Sequence, residues 1–186
     1  MTSTVGAFAQ RKAQTLAELS ADSGDFSRAG HVDERARPIV GLVNRHPSFF
    51  TTSSCAGRVS LFADPTTATR AAGMKGGEWV YVNHDPADPH AIAAAVRRKL
   101  GEDEDGGEGR DPECTLVLRF EPFILSVEAS TLEEGARLVA AARDAGYRES
   151  GITASDKRFI LAVRCSIRME VPVVSRGERL VTDDAL

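Results

Sequence analysis

Between Ser53 and Arg58 the chain reads SSCAGR, which gathers two hydroxyls, a thiol, a glycine and a guanidinium into six residues. Such a set can cradle an anion or an amino acid. Gly57 lets backbone approach a ligand, Ser53 and Ser54 offer hydrogen bonds, and Arg58 can grip a carboxylate or phosphate bidentately. The plain alternative is a strand–turn–strand corner with exposed polar groups. Cys55 raises nucleophilic catalysis, but only two residues separate it from Arg58, too few to wrap a phosphate in one loop. A Cys55–His84 pair is conceivable, yet a lone cysteine and histidine set no geometry, and a small buried thiol is the competing role. The HxE and PCxxC elements of zinc deaminases are absent, and no metal site is expected.

Four further places could carry chemistry. GGEWVYVNH ends in His84, whose imidazole type ordinarily titrates near neutrality. Trp79 in the same stretch could stack on a base or pack in a core; strict alternation along 79–84 leaves its facing open. Glu121 precedes Pro122 at a break between strands, where a carboxylate can accept ribose hydroxyls or an amino group, or merely serve a turn. GYRESGI places Ser150 and Gly151 just beyond a helix end, as pocket residues or as cap and turn. Arg164 and Arg168 alternate with Val163, Cys165 and Ile167, a polar strand face that is either solvated or phosphate-binding.

The elements that must position these residues read as follows. Phe8, Lys12, Leu16 and Leu19 fall at helical spacing. A second helix is expected from Asp33, with Ala36, Ile39, Val40 and Val43 on one stripe, and Pro38 either begins it or kinks it. FFTTSSCAGRVSLFA predicts two strands around Gly57, and EWVYVNH a third. Asp88 caps a predicted helix over 88–100. CTLVLRF and FILSVEA predict two more strands, and TLEEGARLVAAARDAG a helix with Thr131 and Glu134 as its capping box and Gly146 as its stop. RFILAVRCSIRMEVPVV supplies at least one long strand. Each half holds a helix, then strands, with small polar residues after the helix, a pattern that admits a divergent internal duplication. Adjacent strand pairs and the lack of a regular βαβ period predict an α+β single domain with a mixed or antiparallel sheet and flanking helices. No G-x-G-x-x-G follows a strand, so a Rossmann methyltransferase is excluded.

With 42% hydrophobic and 27% charged residues in 186, the composition suits a soluble globular chain. Cys55, Cys114 and Cys165 have no paired spacing and read as reduced thiols, and the start lacks a signal peptide's apolar core, so a cytoplasmic location without membrane is expected. The formal charge of −4 opposes a nucleic-acid partner only at first sight. Seven acids and one base lie in 101–113 (GEDEDGGEGRDPE), which reads as a solvated loop; the remainder carries +2.

Taken in order, DFSRAGHVDER, FFTTSSCAGRVSLF, GGEWVYVNH, RFEPFILSVEA, AGYRESGI and AVRCSIRMEVPV resemble the tRNA wybutosine-synthesising protein 3 family. The resemblance runs from about Asp25 to about Val181, with residues 1–24 a helix and turn before a catalytic domain over 25–182. It implies an S-adenosylmethionine-dependent N4-methyltransferase acting on the 4-demethylwyosine intermediate with its aminocarboxypropyl arm, at position 37 of phenylalanine tRNA. The matching positions imply a pocket in which His84, Ser53 and Ser54 are expected to be catalytic, His84 as base or proton relay. Cys55, Gly57, Arg58, Glu121, Ser150, Gly151 and Arg164 would bind cofactor or substrate. The chain departs from the family at Ala56 and Asn83, where serines are usual, and at Ser126, where a histidine is. A non-catalytic module that binds modified tRNA is the alternative, and a Cys55-dependent enzyme a third.

Overall fold

The structure is a computed structural model, which describes residues 4–20, 31–64, 76–102, 113–155 and 158–186. The core of the expected acidic loop (103–112) and the start of DFSRAGHVDER (25–30) lie outside the described residues. In chain order the elements are α1 (Thr4–Ser20), a 3-10 turn (Glu34–Ala36), α2 (Arg37–Arg45), β1 (Phe49–Cys55), β2 (Arg58–Ala63) and β3 (Glu78–Asn83). Then come α3 (Pro89–Leu100), β4 (Leu116–Glu121), β5 (Ile124–Ala129), α4 (Leu132–Asp144), β6 (Gly151–Ala154), β7 (Phe159–Val163), β8 (Met169–Ser175) and β9 (Glu178–Arg179). Every strand pairing among the described residues is antiparallel, so the α+β class holds and a doubly wound sheet does not occur. No described helix is long and apolar enough to cross a membrane.

The chain forms two compact units, each built from two stretches: Met1–Gly57 with Pro122–Ile167, and Arg58–Glu121 with Arg168–Leu186. The passages between them fall inside SSCAGR, inside the Glu121–Pro122 step, and after Ile167.

In the first unit the strand order is β1-β5-β7-β6. One face meets α2 and α4: Val40, Val43, Val139 and Ala142 pack on Phe49, Leu125, Val127, Leu161 and Val163. Each fully buried aliphatic side chain contributes about 1.5–3 kcal/mol, and this apolar stripe is what orients both helices. Pro38 resolves as a starting residue in the first turn of α2, where its missing N–H costs nothing. Ile39 leaves the expected stripe and is exposed. Thr131 caps α4 by accepting from Glu134 N at 3.2 Å, while the Glu134 carboxylate turns to Arg137 instead of closing the box. On the sheet's other face Phe8 of α1 meets Phe50, their ring centroids 5.4 Å apart. Beside them Glu128 is wholly buried and held by Arg11 (2.6 Å) and Arg158 (2.6 Å).

The second unit has strand order β3-β2-β4-β8-β9. Ala95, Val96 and Leu100 of α3 cover Leu61, Leu116, Val173 and Val174 on one face. Asp88 caps α3 through His90 N (3.0 Å) and Ala91 N (3.3 Å), and Gly101 ends it in the left-handed region. RFILAVRCSIRMEVPVV is two strands in different sheets, β7 and β8. Arg164 and Arg168 therefore do not share a strand face: residues 164–168 pair with no strand, and Ile167 is exposed. GYRESGI, read as cap and turn, also starts a strand, because Gly151 pairs with Ala162.

Candidate functional site

Seven of the expected site residues lie in the first unit and three in the second. In the first, β1 carries a bulge: Thr51 opposes Val127 and Ser53 opposes Ser126, leaving Thr52 as the extra residue. The Asn44 carboxamide fixes this point, its Oδ1 accepting from Thr51 N at 2.7 Å and its Nδ2 donating to Thr51 Oγ1 at 3.1 Å. Directly opposed residues share a face, so the bulge puts Ser53 and Cys55, with Ser126 and Ile124, on the face away from α2 and α4. Ser54 opposes Leu125, faces the helices and is buried. Ser53 and Ser54 therefore cannot address one ligand from one face.

The row through Ser53 continues across all four strands as Ser53, Ser126, Ala162 and Gly151. These are among the smallest side chains, and a Cβ added at Gly151 would meet nothing within 4 Å. The flanking row of Phe50, Glu128 and Ile160 is large. The small row is therefore recessed beside its large neighbour, a shallow trough with hydroxyls at one end and Cys55 beside it.

Gly57 ends the strand with φ 93°, a left-handed backbone that favours glycine. Ala56 N donates to Asp33 Oδ2 at 2.7 Å, so the buried Asp33 carboxylate secures the turn of SSCAGR; it forms no side-chain cap on the 3-10 turn. Ser150 is likewise buried: its Oγ accepts from Arg164 N at 3.1 Å and its carbonyl from Arg143 Nε at 3.1 Å. Ser150 thus positions the end of β7, and the Arg164 side chain is exposed. An apolar cleft of about 460 Å³ between α2 and α4, lined by Ile39, Val43, Phe123, Leu138 and Tyr147 among others, contains none of the expected site residues.

In the second unit Arg58 opposes Glu121 across β2 and β4, and the two form an ion pair through Arg58 Nε and Glu121 Oε2. The Arg58 guanidinium lies 4.6 Å from the Trp79 ring centroid, Trp79 meets Phe62 edge-on at 4.9 Å, and Arg119 lies 4.3 Å over Phe62. A bulge at Val80 creates this ladder, since Phe62 opposes Trp79 while Leu61 opposes Tyr81. Between the two arginines Ser60 opposes Arg119; it is fully buried, and its Oγ and Arg119 Nε have no hydrogen-bond partner. His84 follows β3 and is half-buried. Asn83 organises its loop, Oδ1 accepting from Asp85 N at 2.9 Å and Nδ2 donating to the Pro86 carbonyl at 3.3 Å.

Sequence reasoning passed over Asp33 as a ligand of the SSCAGR turn, and it passed over Ser60, Arg119 and Ala162 entirely. The signal for Ser60 was its alternation with Arg58 and Phe62; Asp33 stands at the N-cap position of the 3-10 turn, which gave no sign that its side chain turns to Ala56 N instead.

The methyltransferase TYW3 family model matches residues 10–186. The tRNA wybutosine-synthesizing protein 2/3/4 of Oryza sativa is 46% identical over 95% of this chain, which spans 17% of that protein. The tRNA wybutosine-synthesizing protein 3 homolog of Mus musculus is 37% identical over 95% of the chain, which spans 62% of it, and the Schizosaccharomyces pombe protein 3 is 33% identical over 89%, spanning 68%. Among solved structures, PH1069 from Pyrococcus horikoshii superposes with a TM-score of 0.76 at 26% identity, covering 97% of this chain and 84% of that one. By its family match along almost its whole length, this chain belongs to the TYW3 methyltransferase family.

Proposed function

We propose that this chain transfers a methyl group from S-adenosylmethionine to N4 of the 4-demethylwyosine intermediate that carries an aminocarboxypropyl arm at position 37 of phenylalanine tRNA. The observation that supports it best is the row of Ser53, Ser126, Ala162 and Gly151, a run of small side chains that leaves room for a flat tricyclic base. Family membership and the names of the relatives, wybutosine-synthesizing proteins acting in tRNA, point the same way.

The donor set suits the cofactor: a carboxylate and a guanidinium, both part-exposed, stand on one sheet face beside an indole ring. S-adenosylmethionine supplies an electrophilic methyl group when bound. Ser53 holds the edge of the base and Cys55 walls it, while Ser54, Ser150 and Gly57 set the strand ends. Gly151 keeps the trough open and Arg164 meets phosphate from beside it. Arg58 takes a carboxylate, and Glu121 takes a ribose hydroxyl or an ammonium. His84 accepts the proton that N4 must lose, and alignment of the nitrogen lone pair supplies much of the acceleration.

The test is to incubate the protein with cofactor and phenylalanine tRNA from a strain lacking the enzyme. A gain of one methylene in mass on the position-37 nucleoside is expected. His84→Ala should slow single turnover about 10²–10⁴-fold; unchanged turnover removes His84 as the base. Salt-sensitive tRNA binding without any methyl transfer would favour an RNA-binding module instead.

A further inference from the structure

The open face of the second unit's sheet carries more than the Arg58–Glu121 pair needs. One residue pair inward, the Ser60 hydroxyl and Arg119 Nε are buried without a hydrogen-bond partner, Glu170 Oε1 standing 3.9 Å from Arg119 Nε, beyond hydrogen-bond reach. Native structures rarely leave such groups unpaired, and each unmet donor calls for an explanation. Both lie on the same face as Arg58, because residues 58 and 60 are two apart on β2 and residues 119 and 121 two apart on β4. The face thus presents three donors suited to one carboxylate, a carboxylate suited to one ammonium, and the Trp79 indole alongside.

We propose that this face clamps a single zwitterionic α-amino acid group. Its carboxylate displaces Glu121 from Arg58 and is shared with Ser60 and Arg119, and its ammonium takes the released Glu121 carboxylate. Charge decides against an RNA strand on the same face. Arg119 has Asp64 at 3.6 Å and Glu170 at 3.9 Å, so with Glu121 three carboxylates stand among two guanidiniums. A polyanion would be repelled there, whereas a zwitterion is neutral and matches both signs.

This inference rests on the methyl-transfer reading only for the source of the group. Two sources share the chemistry: the methionyl end of the cofactor, and the aminocarboxypropyl arm of the nucleoside. Trp79 is the chain's single tryptophan, so its emission reports directly on the face. The wild-type protein is titrated with S-adenosylhomocysteine and with 5′-methylthioadenosine, which lacks the amino acid half. In parallel, methyl transfer is timed on tRNA with and without the arm. Glu121→Gln and Ser60→Ala are carried through both measurements.

If the cofactor is the source, S-adenosylhomocysteine binds more tightly than methylthioadenosine. Glu121→Gln then reduces that preference about ten- to hundredfold, Ser60→Ala reduces it less, and discrimination between the tRNAs is unchanged. If the nucleoside arm is the source, both variants erase discrimination between the tRNAs and leave the cofactor preference intact. Either result supports the clamp. It is overturned if neither variant alters either preference, or if both weaken tRNA equally with and without the arm, which would mark an RNA strand. Should wild-type protein transfer no methyl yet keep a Glu121-dependent preference in the titration, the methyl-transfer reading falls and the clamp stands. Transfer that proceeds without either preference leaves the reading standing and removes the clamp.

Discussion

The two sheets solve one problem differently on the faces turned away from their helix-packed cores. In the first unit that face is recessed: Ser53, Ser126, Ala162 and Gly151 offer volume and few charges. There the Glu128 charge is held by Arg11 and Arg158 rather than offered to a ligand. In the second unit the face is filled with Arg58, Trp79, Phe62 and Arg119; Arg58 pairs closely with Glu121, while Arg119 reaches its carboxylates only at 3.6 Å and 3.9 Å. A flat uncharged ring system needs room, and a charged terminus needs partners that can exchange.

The sharpest way to break the comparison is to unlock the charges of the first face. Glu128→Ala empties a fully buried position and removes the partner of two part-exposed arginines, and should destabilise the protein by about 2 kcal/mol in a denaturant titration. A loss below about 1 kcal/mol would mean that Glu128 is not structural and that this face is not divided into a locked half and a recessed half. Filling the recess comes next. Ala162→Leu projects a side chain into the trough, and turnover on tRNA should fall about tenfold or more while the unfolding midpoint moves little. Equal turnover would show that nothing binds there.

The adjacent serines sharpen the same point at smaller scale. Ser54→Ala removes a buried hydroxyl and should cost about 1 kcal/mol of stability with turnover nearly unchanged. Ser53→Ala should do the reverse, and like effects from both would contradict their opposite facing.

The smallest effect concerns charge in the second unit away from its open face. The exposed Asp183 carboxyl is held below its ordinary value first by a hydrogen bond from Arg179, with Arg97 adding attraction. A depressed carboxylate stabilises the fold above its unfolded pKa, and that share is lost as pH falls through the folded value. Asp183→Asn should therefore lower the unfolding midpoint slightly at neutral pH, with the difference closing in acid. A gap that widens in acid would reverse the sign.

Much of the fold was legible because its signals are local. Thr131, Asp88 and Gly146 mark helix ends through hydrogen bonds spanning three or four residues, and Gly57 marks a strand end through its own backbone. The candidate residues were legible as types for the same reason: hydroxyls, a guanidinium and an imidazole announce what they can bind. Their grouping was not. Strict alternation would place Ser54 with Phe50, and would keep Trp79 with Tyr81. The bulges at Thr52 and Val80 reverse both.

A bulge depends on the strand opposite and, in β1, on Asn44 reaching Thr51 from another element. Ser150 behaves likewise: its hydroxyl reads as a ligand contact until Arg164 N, fourteen positions away, is seen to occupy it. The interleaving of the two units was likewise not legible: the chain changes unit within SSCAGR and at Glu121–Pro122. By itself the sequence determined the elements, their caps and the chemical types at its motifs, since these follow from neighbours along the chain. Which serine faces the trough, which ring meets Arg58 and which sheet each strand joins were decided by the tertiary structure, because register is set by partners far away in sequence.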